Sequence, residues 1–189
     1  MSVSQSTLEA SLKEFFQHNV GLGSTSDLDA LYDDIAQRFA EVIDDYVKTS
    51  SDSVGNSCLG GSVSTLKGLF KTLFKNSTTA AYFATNFDLA LTTYAAAILF
   101  SFSFVPLDGV FGTGVSNAVI PAPAGVAGAL LAELGADYSP YANLDTYLSQ
   151  KVSAISSIIT GFVKSRTTLI AYFIPGTPLV PAVATLTVS

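Results

Sequence analysis

The sequence predicts a mainly α protein built from two related helical hairpin units, with a Pro/Gly/Ala-rich loop inserted in the second and an extended C-terminal arm. Three observations lead there. Apolar residues recur at helical spacing, with Leu28, Leu31, Tyr32, Ile35, Phe39, Val42, Ile43 and Tyr46 forming one stripe and Asp33, Asp34, Arg38, Glu41 and Asp45 lying opposite. Sliding the sequence by 116 positions aligns Asp27–Thr49 with Asn143–Ser165 without a gap, so that Leu28 and Asp29 fall on Leu144 and Asp145, and Ile43 on Ile159. Charge also alternates in blocks: −7 over residues 1–60, +3 over 61–87, −5 over 88–145 and +3 over 146–189.

The first unit covers residues 1–52. Ser6 or Thr7 can cap a helix through Leu8, Leu12, Phe15 and Phe16 that the Gly21 and Gly23 turn stops, and Asp27 is a natural N-cap for the second helix, as Asn143 is for its counterpart. Residues 53–84 form a linker and a basic amphipathic helix. The linker, 53–62, is rich in Ser and Gly; the helix sets Leu66, Leu69, Phe70, Leu73 and Phe74 on one side and Lys67, Lys71 and Lys75 in a row. That row reads as a solvated face, as an attraction for an anionic lipid surface, or as a match for the acidic helix 27–48 of a neighbouring copy. The second unit, 85–173, opens with a segment from Thr85 to about Phe104 and carries the insertion 105–142. Phe100, Phe102 and Phe104 alternate with Ser101 and Ser103, which leaves a short strand open. The last segment, 174–189, has Pro175, Pro178 and Pro181, no charged side chain and a strand-like end, and reads as an arm lying on its own body or on a neighbour.

Composition narrows the function. Of 189 residues, 49% are hydrophobic and 13% charged, against roughly 25% charged in an ordinary soluble domain. A net charge of −6 disfavours binding to nucleic acid through a basic surface. The single cysteine, Cys58, and single histidine, His18, exclude an internal disulfide, a two-histidine metal site and most thiol or triad chemistry. Gly112-Thr113-Gly114 lacks the third glycine of a dinucleotide loop, since Asn117 stands there, and reads as a turn. Asp29, Asp33 and Asp34 lie on a solvated helix, so no catalytic constellation, cofactor site or metal site is expected. Glu9, Lys13 and Glu14 near the start do not make a secretory signal, which places synthesis in a reducing cytoplasm. The uncharged interval 89–107 has the length of a bilayer span but is diluted by Thr92, Thr93, Ser101 and Ser103. Membrane insertion there, in a membrane-active or pore-forming protein, is the alternative function.

The helix ending in Tyr46-Val47-Lys48-Thr49, the Pro/Ala/Gly loop at Val119–Leu131 and the helix ending in Phe162-Val163-Lys164-Ser165 resemble small virion structural proteins of tailed bacteriophages. The resemblance implies a non-catalytic building block of a capsid, neck or tail, made in the host cytoplasm and assembled in many copies with itself and other virion proteins. The apolar residues expected at the contacts are Phe100, Phe102, Phe104, Val119, Ile120, Leu130, Leu131, Ile174, Leu179, Val180 and Leu186. The lysines 67, 71 and 75 form a separate basic stripe.

Overall fold

The computed structural model describes residues 4–19, 28–51, 55–104, 112–119, 126–135, 144–165, 167–172 and 182–187. The mainly α class read from periodicity is the class observed. Six helices are described: α1 (Gln5–Asn19), α2 (Leu28–Lys48), α3 (Val63–Asn76), α4 (Ala80–Ala95), α5 (Val126–Gly135) and α6 (Leu144–Lys164). Their starts follow capping chemistry. The Thr7 and Leu8 amides donate to the Ser4 carbonyl at 3.1 and 3.4 Å, so α1 begins ahead of the expected Ser6 or Thr7 cap. Ser62 Oγ accepts the Thr65 amide at 3.3 Å to open α3, and Thr79 Oγ1 accepts the Tyr82 amide at 3.1 Å to open α4. The expected caps Asp27 and Asn143 lie outside the described residues.

The Thr79 cap corrects the second unit. The boundary between residues 84 and 85 falls inside α4, and the lead segment expected to run to Phe104 leaves the helix at Ala95. Beyond a turn at Ala96–Ala97, Leu99–Phe104 is strand β2, as the Phe/Ser alternation allows. The Ser/Gly linker likewise holds a short strand, β1 (Cys58–Gly60), and the insertion 105–142 holds β3 (Gly112–Val119) and α5. With β4 (Thr167–Tyr172) and β5 (Ala182–Thr187) these make an antiparallel meander in the order β1-β2-β3-β4-β5. Of the two placements open for the C-terminal arm, residues 182–187 take the one on the chain's own body. There the chain pairs with β4 from Thr167 opposite Thr187 to Tyr172 opposite Ala182, which satisfies the backbone groups directed toward β4.

The helices meet in a closed ring: each packs on the next in the chain, and α6 returns to α1. Lys13 Nζ donates to Ser149 Oγ at 2.9 Å and Ser153 Oγ to Glu9 Oε1 at 3.0 Å across that closing contact. The core inside has two parts. Phe39 lies at its phenylalanine end, with ring centroids 5.4 Å from Phe15, 4.9 Å from Phe70, 5.9 Å from Phe74 and 6.2 Å from Phe87. At the sheet end, Ile43, Val47, Leu91, Tyr94, Ile98 and Phe100 line one apolar seam with Ile159, Phe162 and Val163.

Helices α2 and α6 keep the offset found in the sequence, since Leu28–Lys48 and Leu144–Lys164 are 116 positions apart at both ends. The buried residues Val152, Ser156, Ile159, Thr160, Phe162 and Val163 of α6 fall, at that offset, on Ala36, Ala40, Ile43, Asp44, Tyr46 and Val47 of α2, all buried. One buried hydrogen bond, between Tyr46 Oη and Thr160 Oγ1 at 2.6 Å, ties the two helices across the seam.

Candidate functional site

The lysine row is used inside the chain. Lys67 Nζ lies 2.5 Å from Asp33 Oδ2, Lys71 Nζ lies 2.7 Å from Asp29 Oδ2 and 3.2 Å from Asp33 Oδ1, and Lys75 Nζ lies 3.0 Å from Asp29 Oδ1. Spacing explains the match. Lysines four residues apart on α3 meet aspartates four apart on α2 when the two helices run antiparallel. Of the three readings of the row, the match to the acidic helix 27–48 is the one that comes near, but the helix is the chain's own α2 in place of a neighbouring copy's. Hydrogen bonds from Lys71 and then Lys75 hold the Asp29 carboxyl down from 3.8 to about 2, Lys67 and Lys71 lower that of Asp33, and Asp29 and then Asp33 raise the Lys71 ammonium.

A second polar cluster had no place in the sequence reading. Asp44 of α2 is 1% exposed and sits at the end of the apolar stripe. Its Oδ1 accepts the Tyr94 hydroxyl at 2.5 Å and the Gly61 amide at 3.0 Å, while Oδ2 meets Lys48 Nζ at 2.5 Å. Burial, reinforced by the Asp44 carboxylate, pushes the Tyr94 phenol well above its ordinary range, so it remains a donor. Gly60 adopts φ +81°, and a Cβ there would stand 2.5 Å from Asp44 Oδ1 and 2.8 Å from Lys48 Cε. Only glycine lets the backbone come this close. The cluster therefore pins β1 and the start of α3 to α2 and α4. Cys58 lies beside it; burial raises its thiol, and the Gly60 amide points at Sγ from 3.4 Å. A protonated thiol in that setting is a poor nucleophile. The available signal was position: Asp44 falls four residues after Ala40 on the core-facing side, with Lys48 four further on.

The residues expected at contacts divide three ways. Phe100 and Leu130 are each 1% exposed and fill the chain's own core, which corrects their assignment to a surface. Leu131 is 41% exposed. Phe102 and Phe104 fall on β2, Val119 on β3 and Leu186 on β5, with side chains outside the described set, and Ile120, Ile174, Leu179 and Val180 lie outside the described residues altogether. What the structure adds is a face. Helix α4 packs on α5, and the exposed residues described on the two are Ala80, Ala81, Tyr82, Thr85, Leu89 and Thr93 with Gly128, Ala129, Leu131 and Ala132, none of them charged. Leu89 is 56% exposed. The charged residue of α4, Asp88, is half-buried, and that of α5, Glu133, is drawn aside by Lys151 of α6 at 2.7 Å.

Of residues 89–107, 89–95 end α4, 96–98 form a turn and 99–104 are β2, while 105–107 lie outside the described residues; no described helix is long and apolar enough to cross a membrane. Among the described residues no group of three or more His, Cys, Asp or Glu could hold a metal ion. No protein family's sequence profile matches the chain, and neither a curated protein nor a solved structure matches it at a significant level.

Proposed function

We propose that this chain is a non-catalytic structural subunit of a virion, built from two related helical units and assembled in many copies in the capsid, neck or tail of a tailed phage. The observation that carries the reading is the charge-free face of α4 and α5, where Leu89 and Leu131 stand exposed among small residues. Smooth, uncharged helix surface costs little to desolvate and admits close approach of another chain. The helix and loop sequences that resemble small virion proteins supply the identity of the assembly. The expected partners are further copies of the chain and other virion proteins.

The testing experiment expresses the chain alone and inspects it by electron microscopy, with liposome flotation at low salt alongside. Regular oligomers that do not float with lipid support the reading. Flotation with lipid in place of assembly supports membrane activity and contradicts it.

A further inference from the structure

We draw no further inference here: the strongest candidate, the Asp88 carboxylate of α4 next to the exposed Leu89, whose Oδ1 is buried with no hydrogen-bond partner among the described residues, carries nothing, because nothing in the structure shows which donor would meet it or what covers that side of the helix.

Discussion

Asp44 is the residue on which the packing of the first half of the chain depends most locally. It offers one carboxylate to three donors on three segments, from Tyr94, Gly61 and Lys48. Removing it leaves the Tyr94 hydroxyl buried without its acceptor and takes from the Gly61 amide one of its two, the other being Tyr94 Oη at 3.2 Å. Asp44→Ala is expected to lower unfolding stability by about 2–3 kcal/mol in urea titration, and Tyr94→Phe by about 1–2 kcal/mol. Gly60→Ala forces a side chain into a left-handed backbone and against Asp44, and loses about 1–2 kcal/mol before any displacement of the carboxylate. Cys58 gives a second check. Its thiol is buried and held protonated, so alkylation of the folded chain is expected to be slow and to accelerate with unfolding. Fast labelling under native conditions would contradict the placement of β1.

The antiparallel pair α2 and α3 joins by charge outside and by phenylalanine inside. Charge reversal separates the two. Lys71→Asp or Asp29→Lys alone is expected to lower the melting temperature, and the two together to recover part of the loss, because the reversed pair can form again. The pH dependence has a definite sign. The Asp29 carboxyl is depressed from 3.8 to about 2, so its contribution is present above 3.8 and is lost as pH falls toward about 2. The Lys71 ammonium is raised, so its contribution is present below 10.5 and is lost as pH rises beyond it. Added salt weakens both arms, since these groups face solvent. Phe39→Ala, by contrast, removes the ring shared by α1, α3 and α4 and is expected to cost about 3–5 kcal/mol independently of salt.

These elements also show what the sequence could convey. The stripe from Leu28 to Tyr46 and the basic row at 67–75 were legible because one period fixes a helix and its apolar side. Whose acid met those bases was not legible, since spacing within a helix says nothing of which neighbour faces it. Phe100 shows the same limit in a strand. Its alternation with serine marked the local structure, yet whether the ring turned toward the chain's own core or a neighbour depended on α2 and α6 standing behind it. The β4–β5 hairpin was hidden because its strands are separated by a proline-containing stretch, and a charge-free run reads equally as an arm or as a paired strand.

At the scale of the whole chain, Lys67, Lys71 and Lys75 of α3 are taken up by Asp29 and Asp33 of α2, and Glu133 of α5 is paired with Lys151 of α6, while the exposed residues described on α4 and α5 are uncharged. A stable contact between subunits buries more than about 1,000 Å². Introducing charge on the exposed sides of both helices, Leu89→Glu with Leu131→Glu, is therefore expected to abolish higher assembly while leaving the circular dichroism spectrum and melting temperature close to those of the parent, because both side chains are exposed.

Static light scattering on the purified full chain, recorded as concentration rises, decides whether that uncharged surface is used. The expected result is a mass that climbs to a multiple of 19.7 kDa and falls back with the paired glutamates. A monodisperse species that stays at 19.7 kDa at every concentration would contradict assembly as the work of this fold.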